Sequence, residues 1–267
     1  MKKKKKQSYI ASKLVKTQVV LRSPELAKHV PLTRPLTRSR LFRMLERYGM
    51  VYVKPDTGSQ GNGVLRVEKR ARAYRYRSGV RTLDFPTFQA MFRSVSKHTG
   101  RRRYVVQKGI HVLTYQGRLF DFRVMIQKNP AGKWECTGTA GRLAHPRKAV
   151  TNGSQGGTIF TASLLIKRSA GAAATTRLLR SMNRLAHLAA VQFSRAYPAV
   201  KELGVDIAID RRLKPWILEV NTRPDPCPFT KLPNKRMIRR IVACARAYGR
   251  RYRLQCTKAK SAPARHR

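Results

Sequence analysis

Acidic residues are what this chain lacks. Against 59 Lys and Arg it has 12 Asp and Glu in 267 residues, a formal net charge of +47. That excess sets a strong positive field and implies an anionic partner: nucleic acid, an acidic polymer, phosphate or a membrane surface. Cysteine is scarce as well. Cys136, Cys227, Cys244 and Cys256 are widely spaced and form no CxxC pair, which argues against a zinc site and fits a reducing, cytoplasmic setting. No apolar run is long enough for a membrane-spanning helix. The basic start "MKKKKKQSYIASKLVK" has no apolar segment of the kind a secretory signal needs. The histidines form no metal-ligand spacing, and no Ser–His or Cys–His nucleophile arrangement is legible. Hydrophobic residues make up 42% of the chain, enough for a core, so the charge does not imply disorder.

Residues 1–38 are basic and broken by Pro24, Pro31 and Pro35; they read as an arm with one short strand at "TQVVLR". "SRLFRMLERYG" places Leu41, Met44, Leu45 and Tyr48 on one helical face, with Gly49 as the stop. "MVYVKP", "VLRVEKR" and "ARAYRYRSG" read as strands around the glycine-rich turn "DTGSQGNG". "DFPTFQAMFRSVSKH" reads as a helix capped by Asp84, and "RYVVQKGI" as another strand. "RLFDFRVMIQKNPAGKWECTGTAGRLA" is a long hairpin turning at "NPAG". "TNGSQGG" is a second glycine-rich loop. "TTRLLRSMNRLAHLAAVQFSRAY" is an amphipathic helix with Leu178, Met182, Leu185 and Ala189 on its apolar stripe. "PNKRMIRRIVACARAYGRRY" is a final helix, and the last ten residues read as frayed. The order of elements is α+β with mostly antiparallel strands.

The few acids are not spread evenly. Five fall between Glu202 and Asp225, around "LGVDIAIDRRLKPWILEVN". Both halves of that segment alternate, so it reads as a hairpin. A loop of two or of four residues closes it in one register, with Ile209 facing Trp216 and Asp206 facing Glu219. Ile217, Glu219 and Asn221 then share a face. Opposed side chains in a sheet lie ~4.5–5.5 Å apart at Cβ, and two carboxylates there repel. Removing one charge should relieve that repulsion. A divalent cation between them reverses the sign of the energy, and Asp, Glu and Asn oxygens suit Mg²⁺ when phosphates supply the other ligands. The competing reading pairs Asp206 and Glu219 with two of the abundant arginines.

"YVKPDTGSQGNGV" places Lys54 at a strand end before Gly58, Gly61 and Gly63. Such a loop lets backbone N–H groups close on a phosphate while the lysine adds a point charge; a plain hairpin turn looks similar. The ordered set is more specific. A strand-end lysine with a glycine-rich hairpin, then "VVQKGI", then "LGVDIAID…WILEVN" resembles the ATP-grasp superfamily. "LFRMLERYGMVYVKPDTGSQGNGV", "FDFRVMIQKNPAGKWECTGTAGRLA" and "VTNGSQGG" are similar, in order, to the YheC/YheD endospore coat-associated family of that superfamily. The resemblance covers roughly residues 38–250. It implies two α+β subdomains clamping ATP: a small one over 39–110 and a large one with the metal site over 111–256. A basic arm (1–38) and a frayed basic tail (257–267) flank them. The forty or so residues before the first motif are too few for the α/β domain that precedes most ATP-grasp enzymes.

The resemblance also implies roles. Lys54, Gly58, Gly61 and Gly63 would hold phosphates, and Gln107, Lys108 and Ile110 would form the adenine hinge. Relatives often carry an acid where this chain has Gln107, whose amide oxygen can still accept from the adenine amino group. Asp206, Glu219 and Asn221 would hold Mg²⁺. Arg123 and Arg142 sit on apolar strands, where a charge needs a partner. By resemblance they would stabilise the transferring phosphoryl group; Arg123 could instead pair with Asp121 on its own strand. Asn152 and Arg223 are candidate substrate contacts. The implied activity is an ATP-dependent carboxylate–amine ligase working through an acyl phosphate, with ATP and Mg²⁺ as cofactors and an unidentified carboxylate acceptor. The alternative is a non-catalytic basic coat or polyanion-binding protein on the same scaffold. The implied location is cytoplasmic or spore-associated.

Overall fold

The computed structural model describes residues 8–58, 61–145, 157–256 and 259–262. The chain builds two sheets. The smaller unit uses β1 (Thr33–Pro35), α3 (Arg38–Tyr48), β2 (Met50–Pro55), β3 (Leu65–Lys69), β4 (Tyr74–Ser78), β5 (Arg81–Phe85), α4 (Phe88–Thr99) and β6 (Tyr104–Lys108), after the helices α1 (Lys13–Leu21) and α2 (Pro24–Ala27). Its strands lie in the order β1-β6-β2-β3-β4-β5, every pair antiparallel. Leu41, Met44 and Leu45 of α3 and Met91 and Val95 of α4 bury against Val51, Val53, Leu65, Val67 and Val106. This is the apolar spacing of two helices seated on a sheet face. Gly49 ends α3 at φ +69°, where a side chain would be strained. The cap expected at Asp84 is Thr87, which accepts from Ala90 N–H; Asp84 lies on β5, opposite Arg75, and pairs with it at 2.7 Å.

The larger unit contains β7 (Thr114–Tyr115), β8 (Arg118–Lys128), β9 (Trp134–Leu143), β10 (Thr158–Thr161), α5 (Ala162–Ala170), α6 (Ala172–Ala196), β11 (Glu202–Ile209), β12 (Pro215–Asn221), α7 (Cys227–Thr230), α8 (Arg236–Ala247) and β13 (Lys260–Ser261). The strand order is β12-β11-β8-β9-β10-β13, with β7 paired to β8. One face carries Phe120, Phe122, Val124, Val205, Ile207 and Ile209 into a core shared with α5 and α6, including the expected stripe Leu178, Met182, Leu185 and Ala189. The other face is divided. Met125 and Ala140 are covered by Phe229, Ile238 and Ile241 of α7 and α8, while Asp121 and Arg123 lie further along β8 toward the small unit.

Four expectations are corrected here. The strand expected at "TQVVLR" is part of α1. Its β-branched residues favour extended chain locally, but Lys16, Val19 and Val20 fall on one helical face, and that face is buried. The described part of residues 1–38 is therefore no arm: Ile10, Val19, Val20 and Leu26 belong to the core of the large unit, and Thr33–Pro35 pair with β6. At the other end, Lys260–Ser261 add a parallel strand beside β10, and Cys256 is joined to Cys227 in a disulfide rather than standing reduced. Among the described residues no helix is long and apolar enough to cross a membrane.

Candidate functional site

The charged residues of the large sheet meet through strand register. Asp121 lies opposite Arg142, Arg123 opposite Asp206, and Asp206 opposite Glu219, so four adjacent strands bring them onto one face. The last pair is as expected from the hairpin, but the register slips immediately after it. Ile207 faces Ile217 and Ala208 faces Trp216, so the expected Ile209–Trp216 pair is replaced by Ile209–Pro215. A β-bulge at Leu218 causes the shift: two residues of β12 oppose one of β11. The bulge turns Ile217 into the core while Glu219 and Asn221 stay beside Asp206, so Ile217 and Glu219 do not share a face.

The ion pairs form a buried ladder. Arg142 holds Asp121 by two bonds of 2.7 Å and reaches Asp206 Oδ2 at 3.1 Å. Arg123 holds the same Asp206 at 2.5 and 3.2 Å, a two-point pairing across the strands. Asn221 Nδ2 donates to Asp206 Oδ2 at 3.4 Å. Gly204, beside Arg123, makes room for that side chain: a Cβ there would lie 3.1 Å from Arg123 Cδ. Burial works to neutralise Asp206, yet the guanidinium groups of Arg123 and Arg142 overcome it and hold its carboxyl below the usual range. Burial likewise opposes the charge on Arg142, and Asp121 and Asp206 outweigh it, raising its pKa.

Glu219 is held differently. Its Oε1 meets Lys16 Nζ at 3.3 Å and Lys13 Nζ at 3.7 Å, both from α1. Both carboxylates of the opposed pair are thus matched by cations, arginines on Asp206 and lysines on Glu219. Lys13 and Lys16 were not found from the sequence. The available signal was the helical spacing of Lys16 with Val19 and Val20, hidden by the strand-like composition around it.

Lys54, at the end of β2, is half-buried and donates to Gln107 Oε1 at 2.6 Å. Burial pulls its pKa down to about 8, partly opposed by the charges of Glu219, Asp206 and Asp121. Gln107 acts as a strut. Its oxygen is taken by Lys54, and its amide nitrogen donates to Thr33 Oγ1 at 2.9 Å and to the carbonyl of the bulged Leu218 at 3.3 Å. It thereby ties β6 of the small sheet to β12 of the large one. Lys108 stacks over Tyr48 and Trp216, 4.8 and 5.8 Å from the ring centres, and Ile110 is half-buried just past β6.

In the glycine loop, Gly58, Gly61 and Gly63 all have positive φ. Gly63 is constrained by space as well, since a Cβ would lie 2.9 Å from Tyr104 Oη. Lys13 Nζ donates to the Gly58 carbonyl at 3.0 Å, and Asp56, at the foot of the loop, accepts from Ser12 Oγ and Leu14 N–H. The start of α1 is thus bonded to the small unit while its lysines reach the large one. Arg223 is exposed beyond β12, and Asn152 lies outside the described residues.

Asp206, Glu219 and Asn221 offer hard oxygen donors that fit a phosphate-bound Mg²⁺. They do not amount to an all-protein cage: among the described residues no three His, Cys, Asp or Glu side chains gather as a metal site. Glu219 and Asn221 are the more available of the three, because Asp206 is already engaged by two arginines.

Two α+β units meeting over a strand-end lysine, a positive-φ glycine loop and this carboxylate set define an ATP-grasp fold. The sequence profile described as "YheC/D like ATP-grasp" matches residues 4–251, and the chain belongs to that family. It is 27% identical over 220 residues to endospore coat-associated protein YheD of Bacillus subtilis (strain 168), covering 77% of this chain and 48% of that protein. To YheC of the same organism it is 24% identical over 201 residues, covering 73% and 55%. The chain thus spans about half the length of these curated relatives. Among solved structures it is similar to N5-carboxyaminoimidazole synthase from Aspergillus clavatus, in complex with ADP and 5-aminoimidazole ribonucleotide. That likeness has a TM-score of 0.50 at 11% identity, covering 81% of this chain and 45% of that one. The ADP complex of PurK, an N5-carboxyaminoimidazole ribonucleotide synthetase, gives a TM-score of 0.50 at 12% identity over 95% of this chain and 54% of that one.

Proposed function

We propose that this protein binds Mg-ATP where its two sheets meet and uses it to activate a carboxylate. An acceptor carboxylate oxygen attacks the γ-phosphorus, the bond to the β,γ-bridging oxygen breaks, and ADP leaves. An amine or a related nucleophile then attacks the acyl carbon of the acyl phosphate, expelling inorganic phosphate and losing its proton to solvent. Lys54 and the Gly58–Gly61–Gly63 loop hold phosphates, and Lys108 and Ile110 border the base. Asp206, Glu219 and Asn221 hold Mg²⁺, which neutralises phosphate charge when bound. Arg123 and Arg142 orient Asp206 and supply positive charge beside the transferring group; positioning and charge neutralisation are the main catalytic terms in phosphoryl transfer. Arg223 and Asn152 are candidate acceptor contacts.

The observation that carries this reading is the buried excess of cations at the junction. Among the described residues Lys13, Lys16, Lys54, Arg123 and Arg142 gather about the carboxylates of Asp121, Asp206 and Glu219, five cations to three acids. Buried charge calls for a partner, and a polyphosphate supplies it. Calorimetry of the full chain with ATP and Mg²⁺ tests binding, and ADP release measured across a panel of amino acids and short acidic peptides identifies the acceptor. A folded sample that binds no nucleotide in the presence of Mg²⁺ would overturn the proposal.

One feature favours a polyanion-binding role on the same scaffold. Arg177, Arg180, Arg184, His187 and Arg195 are exposed along the outward side of α6, and among the described residues Arg184 alone of these is in an ion pair, with Glu25.

A further inference from the structure

Glu219 differs from the other two carboxylates of the site in what holds it. Asp121 and Asp206 are gripped by arginines in two-point contacts, with 4% and 9% of their side chains exposed. Glu219 is 23% exposed, and among the described residues its ion-pair partners are two lysines, both at one oxygen. It is therefore the carboxylate a metal ion can take with least rearrangement. Lys16 is nearly enclosed, with 6% of its side chain exposed, and Glu219 is the carboxylate its ammonium meets. The two are coupled: a cation that captures Glu219 leaves an enclosed ammonium without its counter-ion, an unfavourable state unless another anion arrives.

We propose that Lys16 is a positioning residue for the terminal phosphates of the nucleotide, held by Glu219 in the empty site and released to those phosphates when Mg²⁺ takes Glu219. The inference rests on the Mg-ATP reading above. It assigns α1 a part in the site that the strand-end lysine and the glycine loop do not have, because Lys16 reads the metal and the phosphates together. Mg²⁺ alone must displace Lys16 for no return. Mg²⁺ with ATP displaces it and supplies the phosphate that receives it. Metal and nucleotide therefore favour one another reciprocally, and Lys16 carries that coupling. The ammonium stem enters from α1, whose N-terminus is bonded to Asp56 below the glycine loop, so the helix is fixed from the small unit while Nζ faces the large one.

The test uses the full chain as wild type, K16M and K16R. Free Mn²⁺ is titrated by electron paramagnetic resonance without nucleotide, and Mg-ATP, Mg-ADP and AMP are titrated by calorimetry. K16M is expected to bind Mn²⁺ alone several-fold more tightly, since Glu219 has lost the nearer of its two competing lysines. It should bind Mg-ATP about tenfold or more weakly while AMP changes less than about twofold, and K16R should recover most of the Mg-ATP affinity. A K16M protein that weakens Mg-ATP and AMP equally, or that binds Mn²⁺ no more tightly than wild type, overturns the inference and leaves the ATP reading standing. A wild type that binds no Mg-ATP removes both. Where K16M fails to melt cooperatively, K16Q, which keeps a polar end at Glu219, takes its place in every titration.

Discussion

Glu219 decides how the site behaves without ligand. The hairpin places it opposite Asp206, and two facing carboxylates alone would repel. Lys16 and Lys13 reverse that sign, so Glu219 is a partner of buried positive charge before it is a metal ligand. E219Q should therefore lower the stability of the nucleotide-free protein, by about 1–3 kcal/mol, because Lys16 is left enclosed with a neutral partner. The double variant K16M/E219Q should recover part of that loss, and thermal melts of the four proteins form the cycle that measures it. E219Q should also lose Mg-ATP binding, which calorimetry checks separately. A more stable E219Q would mean that repulsion from Asp206 outweighs the lysine contacts.

At the scale of elements, α1 is the unexpected participant. Ser12 caps it by accepting from Val15 N–H, and the same hydroxyl donates to Asp56 at 3.0 Å. Lys13 N–H adds a bond to the Asp56 carbonyl at 2.8 Å. Behind it, Val19, Val20 and Leu26 complete the core under β12 and α6. Removing residues 1–38 should therefore abolish cooperative folding rather than trim a tail, with circular dichroism melts as the check. L26A, a milder probe at a fully buried position, should cost about 2–5 kcal/mol in chemical denaturation. A truncated chain that melts like the full one would show that α1 only rests on the core.

The whole molecule carries its charge far beyond the site. Most of the 59 basic side chains have no acid to meet, since there are only 12. Binding to DNA or to an acidic polypeptide should weaken steeply with salt, the logarithm of affinity falling by about 0.7–0.9 per nucleic-acid phosphate neutralised. The combined variant R177Q/R180Q/R195Q on α6 should make that slope shallower while leaving Mg-ATP affinity unchanged, because these residues lie on the outward side of the helix. Fluorescence titrations at several salt concentrations read both effects. A flat salt dependence would confine the role of the positive charge to the nucleotide site.

Much of the architecture was legible because it rests on local rules. The "NPAG" turn marked the β8–β9 hairpin, alternation marked β11–β12, helical spacing marked α3 and α6, and the glycine loop after Lys54 is a pattern of residue types that needs no tertiary information. The crowding of acids around Glu202–Asp225 also singled out Asp206 and Glu219, which the fold sets opposite one another on β11 and β12. What only the folded chain decided is who meets whom. The bulge at Leu218 shifted the register beyond Asp206, the strand-like "TQVVL" became helix once its Lys16–Val19–Val20 face could be buried, and Gln107 was drawn into bonding Lys54 and Leu218. Each depends on a contact between segments distant in sequence, where burial and the need to pair every enclosed charge outweigh local propensity.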